Sequence, residues 1–266
     1  MSLAGLGVAR PGLAWQGRAR QGRARQGAVR PSQKESNMEH YLITITGTQS
    51  LLMHADDIEW ADQMEAWKND KDNKKGSKAG DDRSPAWRWL GNLYHDGKRI
   101  VMPIGNIMRC LMEGGTQVPV PGGKGSKTFK AQTQSGIQAV ESSWPLLLAG
   151  KEIPVAKLLM LTGNKDFAAH KQAAIDHGFT LFLKRAKIGN SKHVRVRPRF
   201  DTWAIRGEIV VADEQITEAI IRDILEMAGR YKGLGDWRPS SKTPGSYGMF
   251  TAQIQPITAK AARKAA

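Results

Sequence analysis

Ile216-Thr-Glu-Ala-Ile-Ile-Arg-Asp-Ile-Leu-Glu-Met-Ala-Gly229, the glycine-rich run after it and the segment Tyr247 to Gln255 decide the fold class. Ile216, Ile220, Ile224, Leu225 and Ala228 recur at helical spacing, with Arg222, Asp223 and Glu226 on the opposite side. That pattern predicts an amphipathic helix with one face in a core. Gly233-Leu-Gly235 then leads to a final strand. Working outward, Tyr41-Leu-Ile-Thr-Ile-Thr46 is β-branched and reads as a first strand closed by Gly47. Lys98 to Met102 reads as a strand, after which Pro103 opens a helix, Ile104 to Glu113, stopped by Gly114-Gly115. Residues 178–183, 193–199 and 203–211 read as strands, and Trp203, Ile205, Ile209 and Val211 share one face of the last. Gly136 to Val140 suggests a short helical turn, and Pro145 to Ala149 a short core segment. Strands and helices in this mixture predict an α+β domain.

The chain has 266 residues, with 40 Lys and Arg against 25 Asp and Glu, a formal charge of +15. An excess of that size predicts attraction to polyanions, because basic side chains near phosphates release condensed counterions. An anionic membrane would need a basic amphipathic helix or a lipid signal, and neither is present. No apolar run approaches the ~20 residues of a membrane span. Cys110 is the single cysteine, so no internal disulfide or thiolate zinc site is expected. Its apolar neighbours Ile107, Met108, Leu111 and Met112 mark it as a core thiol. A reducing, cytoplasmic setting fits, and no cofactor or metal is expected.

Residues 1–37 contrast with the rest. Gln16-Gly-Arg-Ala-Arg-Gln-Gly-Arg-Ala-Arg-Gln-Gly27 cannot build a core and predicts a disordered basic leader. It reads either as an arginine-rich arm on phosphates or as an upstream extension with Met38 as the natural start. Residues 38–258 form the expected domain, and 259–266 a basic tail. Within the domain, residues 54–85 are polar, acidic and then Lys-rich, predicting an irregular insertion over about 54–97 with Asp70 to Asp82 solvated.

Three segments carry the candidate chemistry. Lys184, Arg185, Lys187, Lys192, Arg195, Arg197 and Arg199 crowd one stretch, with no acid between Asp176 and Asp201. Arg195, Arg197 and Arg199 alternate with Val194 and Val196, which places three guanidiniums on one strand face. The loop 114–136 is glycine-rich, free of acids between Glu113 and Glu141, and carries Phe129 among Lys124, Lys127 and Lys130. Such a loop suits a single strand, the lysines tracking the backbone and the ring meeting bases. Third is Gly229-Arg-Tyr-Lys-Gly-Leu-Gly-Asp-Trp-Arg-Pro239, where Arg230, Lys232, Trp237 and Arg238 combine cations with a planar ring. It is not a P-loop, since Gly-x4-Gly-Lys-Ser/Thr is absent. Enzyme motifs are lacking: there is no Gly-x-Ser-x-Gly, His-Glu-x-x-His or Cys-His pairing. His54, Asp56, Asp57 and Glu59 form an acidic group after the first strand that could hold a metal or work as general acid and base.

Met102-Pro-Ile-Gly-Asn-Ile-Met-Arg-Cys-Leu111, the loop Gly233-Leu-Gly-Asp-Trp-Arg-Pro239 running to Gly245-Ser-Tyr-Gly-Met-Phe250, and the opening strand with Ser50-Leu-Leu-Met-His54 together resemble the RAMP superfamily. These are the ferredoxin-like or RRM-like RNA-binding proteins of CRISPR effector complexes. The resemblance spans most of residues 38–255. It implies a β-α-β-β-α-β palm with long inserted loops, the 114–136 loop being a thumb. It also implies copies polymerising along a guide RNA, beside other ribonucleoprotein subunits. The expected function is a non-catalytic RNA-binding backbone subunit that tracks a single strand, RNA being favoured over DNA. Two alternatives stay open: a phage single-stranded DNA-binding or annealing protein, and a metal-dependent ribonuclease using Asp56 or Asp57.

Overall fold

In the computed structural model the first strand, β1, runs over Glu39–Gly47, and the structure describes residues 38–75, 84–123, 125, 127–188 and 191–257. The leader 1–37 and the tail 259–266 lie outside the described residues. After β1 the chain makes β2 (Leu51–Leu52), α1 (Ile58–Asn69), α2 (Lys71–Lys75) and a 3-10 turn over Ala86–Asn92. It continues through β3 (Val101–Pro103), α3 (Ile104–Gly115), α4 (Lys130–Gly136), β4 (Ile137–Ala139), β5 (Ser143–Leu148) and β6 (Lys151–Glu152). Then follow α5 (Ala156–Leu159), α6 (Phe167–Asp176), β7 (Thr180–Ile188), β8 (Ser191–Phe200) and β9 (Ala204–Val211). The last elements are α7 (Glu218–Met227), a π-type turn Ala228–Lys232 and β10 (Phe250–Ile257). Antiparallel strands with helices make this an α+β fold, and no helix among the described residues is long and apolar enough to cross a membrane.

Strands assemble into a larger sheet of order β10-β1-β9-β5-β3, with β4 beside β9 and β6 beside β5, and a smaller sheet of order β2-β8-β7. In the larger sheet Tyr41, Ile43 and Ile45 stand opposite Ile209, Gly207 and Ile205, so they share one face. Those residues are buried in one core with Ile107, Cys110 and Leu111 of α3 and Ile221, Ile224 and Leu225 of α7. Alternation along the strands and the 3.6-residue period along the helices are therefore two views of the same core. Thr217 caps α7 by accepting from the Ile220 amide at 3.4 Å, and Glu218 favours the positive end of the helix.

Several local expectations change. The 54–97 segment is not uniformly irregular: Asp57 caps α1 through the Trp60 amide at 3.2 Å, and Trp60, Met64 and Trp67 lean on the core. Trp60, Met64 and Trp67, at i, i+4 and i+7, are the large apolar residues that face the core from this helix, while Ile58 is exposed and no residue is fully buried. Trp87, Trp89 and Leu90 of the following turn are core residues. The helical turn expected at 136–140 is instead the end of α4 followed by β4, because Ile137 pairs with Val211 and is buried. The final strand starts at Phe250, since Tyr247 turns away into an aromatic cluster.

Candidate nucleic-acid interface

The smaller sheet presents the cations. Register pairs Lys184 with Arg195, Phe182 with Arg197 and Thr180 with Arg199, so these six residues share one face of the β7–β8 hairpin. The other face turns Val196 and Phe200 into the core. Sequence alone suggested three arginines awaiting an external anion. Instead the fold supplies two carboxylates. Arg197 is ion-paired with Asp236, and its side chain is 6% exposed. Arg199 meets Asp201 at 3.0 Å. Arg195 makes no ion pair among the described residues and stays half-buried. Lys184, Arg88 and His54 all feel Arg195 and Arg197. Desolvation and then this repulsion hold Lys184 and Arg88 below their ordinary values. The side chains of Arg185, Lys187 and Lys192 lie outside the described residues.

Over this face lies the glycine loop, residues 233–248. Gly235 has φ +72°, and a Cβ there would sit 2.3 Å from the Leu52 carbonyl oxygen, so only glycine lets the loop reach β2. The Asp236 amide then donates to Leu52 at 2.9 Å. A Cβ on Gly245 would fall 2.1 Å from the Trp237 carbonyl oxygen, which lets the loop close on itself. Trp237 itself has φ +51°, in the left-handed region that a bulky residue seldom adopts. Its ring stacks on Tyr247 with centroids 5.5 Å apart and planes 22° apart. Phe182 completes the cluster, 6.4 Å from Trp237 and 5.9 Å from Tyr247.

Beside the loop a cleft of about 240 Å³ is lined by His54, Tyr94, Asn106, Arg109, Cys110, Arg238 and the loop residues Gly233 to Asp236. The i, i+3 spacing of Asn106 and Arg109 puts both on one side of α3. Glu113 accepts from Arg109 Nε at 2.6 Å. Arg238 is braced inward, donating to Ser240 Oγ at 2.9 Å and the Gly235 carbonyl at 3.2 Å. Desolvation by the cleft, then Arg197, lower the His54 pKa, with Asp236 opposing. Burial pushes the Cys110 thiol up to about 12, so it stays protonated. The cleft residues His54, Tyr94, Asn106 and Arg109, and the neighbouring Arg88, were not among the expected binders. The helix segment beginning at Met102 pointed toward Asn106 and Arg109, but nothing local marked Tyr94 or Arg88.

The expected thumb takes another form. The chain between α3 and α4 folds back on itself: Pro119 bridges Thr128, and the Phe129 amide donates to Val118 at 3.0 Å. Phe129 is 2% exposed and belongs to the core, so its ring cannot be offered to a base in this arrangement. Burying a phenyl group outweighs leaving it on a solvated loop. Lys127 and Lys130 are exposed on this excursion, while Lys124 lies outside the described residues. Arg230 is also exposed, near Glu226 at 3.8 Å, and lines a separate shallow groove with Thr48 and Arg222. Lys232 is half-buried at the foot of the glycine loop, where its carbonyl accepts from Ser240. The uncovered face of the larger sheet carries His40, Thr44, Arg206, Glu208, Thr251 and Gln253, with no Phe, Tyr or Trp among its described residues, and the His40 ring is held by Glu208. It therefore lacks the Phe, Tyr or Trp rings with which an RRM-type sheet stacks two or three bases.

Among the described residues no group of three or more His, Cys, Asp or Glu is poised to hold a metal. The Asp57 carboxylate is engaged in capping α1. No protein-family model matches the chain, and no curated protein matches it either.

Proposed function

We propose that this protein binds single-stranded nucleic acid, RNA in the first instance, as a non-catalytic backbone subunit of a multi-copy, RAMP-type ribonucleoprotein in the cytoplasm. The observation that carries the binding reading is the convergence of Arg195, Arg197, Lys184, Arg88 and His54 next to the glycine-loop cleft, with Asp236 as the loop's carboxylate among them. Mutual repulsion of that kind is relieved by a polyanion. The strand order β10-β1-β9-β5 supports a ferredoxin-like palm. In such a palm the third strand lies between the first and second, the fourth lies outside the first, and here α3 and α7 make the two crossings. The strand-engaging element is then the glycine loop and not the 114–136 excursion.

Fluorescence anisotropy on labelled RNA and DNA oligonucleotides tests the reading. With about five phosphates neutralised, a slope of roughly −0.7 per phosphate gives about a 100-fold affinity loss for a fourfold rise in salt. A flat salt response overturns it. Sequencing of the co-purified strand separates the rivals: one discrete RNA length supports the subunit reading, and heterogeneous DNA supports a single-stranded DNA-binding protein.

A further inference from the structure

We propose that Trp237, held by Tyr247 and Phe182, is a base-stacking platform, and that Lys184 occupies the ring until a base displaces it and its ammonium moves to a phosphate. This rests on the strand-binding reading and names the part of the strand that the loop takes. Four observations support it. Trp237 keeps a large ring at a backbone position suited to glycine, with φ +51°; strain of this kind gathers at binding sites. The three rings are half-buried, not core residues, and Tyr247 lies only 22° from parallel with Trp237. The platform is thus oriented before any strand arrives, which lowers the ordering cost of binding. Lys184 Nζ sits over the face of the Trp237 ring, so that face is covered by a mobile cation and not by the core. Finally, Lys184 is the cross-strand partner of Arg195, so a base on Trp237 brings its own phosphate to two cations.

The exchange runs downhill. Stacking of a base on an aromatic ring exceeds an exposed cation–π contact, and the freed ammonium gains a phosphate. Every base has a π face, so the platform selects single strands over duplex without selecting sequence.

Anisotropy with the full chain on two oligonucleotides of equal length, one ordinary and one fully abasic, tests this. The parent is expected to bind the ordinary strand roughly 5- to 150-fold more tightly. Trp237→Leu should lose that preference with its salt slope unchanged, and Trp237→Phe should keep most of it. Lys184→Gln should keep the preference while its salt slope falls by about 0.7. The proposal is overturned if Trp237→Leu weakens both strands equally, since the ring would then merely order the loop. It is equally overturned if the parent binds both strands alike with a normal salt response, an outcome that leaves the binding reading standing. If the parent binds neither strand, both readings fall. Should Trp237→Leu not fold, the parent's preference and its retention in Trp237→Phe decide the matter.

Discussion

Arg197 of β8 and Asp236 of the glycine loop are ion-paired across the β7–β8 face, and the arginine side chain is 6% exposed. The pair ties the loop to the smaller sheet, and removing one partner leaves a buried charge uncompensated. Asp236→Asn is expected to cost about 2–4 kcal/mol of stability. That is somewhat below the ~3–5 of a fully buried pair, because Asp236 keeps partial exposure. Urea denaturation measures it. Replacing both residues with apolar side chains of similar volume should recover much of the loss, and a double variant weaker than either single one would contradict the pairing.

The three arginines of β8 should separate by experiment. Arg195→Gln is expected to leave the thermal midpoint unchanged or slightly raised, and to lower the salt slope of binding by about 0.7. Arg197→Gln should lower the midpoint by several degrees. Arg199→Gln should fall between, since Asp201 at 3.0 Å holds it on a more exposed edge. A triple replacement should destabilise the protein through Arg197, although the alternation with valines puts all three arginines alike on one strand face.

Phe129→Ala removes a phenyl group from the core. The expected cost is about 3–5 kcal/mol of stability, seen as a lower midpoint in thermal denaturation. Affinity per folded molecule for a single strand should not change. A variant of parental stability with weakened binding would restore the ring to a thumb.

His54 titrates below its ordinary value of 6.5 in the folded protein. The unfolded chain therefore binds the proton first, and the stability carried by neutral His54 is complete above about pH 6.5. It is lost progressively as pH falls below that value toward the lowered folded pKa. Urea midpoints from pH 8 to pH 5 should decline more steeply in the parent than in His54→Gln. A phosphate beside the ring favours the protonated form, so parent affinity for RNA should rise over the same descent. Identical profiles for parent and variant would remove His54 from the cationic centre.

His170 is fully buried, accepting from Trp89 Nε1 at 3.0 Å through Nδ1 and contacting the Asn164 carbonyl at 3.0 Å through Nε2. His170→Phe fills the space but orphans the Trp89 N–H, so a loss of about 1–3 kcal/mol is expected. Unchanged stability in chemical denaturation would mean that the indole finds another acceptor.

The sequence by itself determined α3, α7, β1, β9, the burial of Cys110 and the positive field. The physical reason is that strand alternation, helical period, caps and net charge reside in neighbouring residues or in composition. Trp237 and the arginine row were legible as candidates for the same reason. Only the tertiary structure decided which cations stay unpaired, because Asp236 reaches Arg197 from 39 residues further along the chain. It alone buried Phe129, whose flanking lysines and glycines look in sequence like a solvated loop. It alone brought Tyr94, Asn106 and His54 to the glycine loop, and set Lys184 on Trp237. Burial and charge pairing depend on which distant segments the core brings together, and no local pattern encodes that.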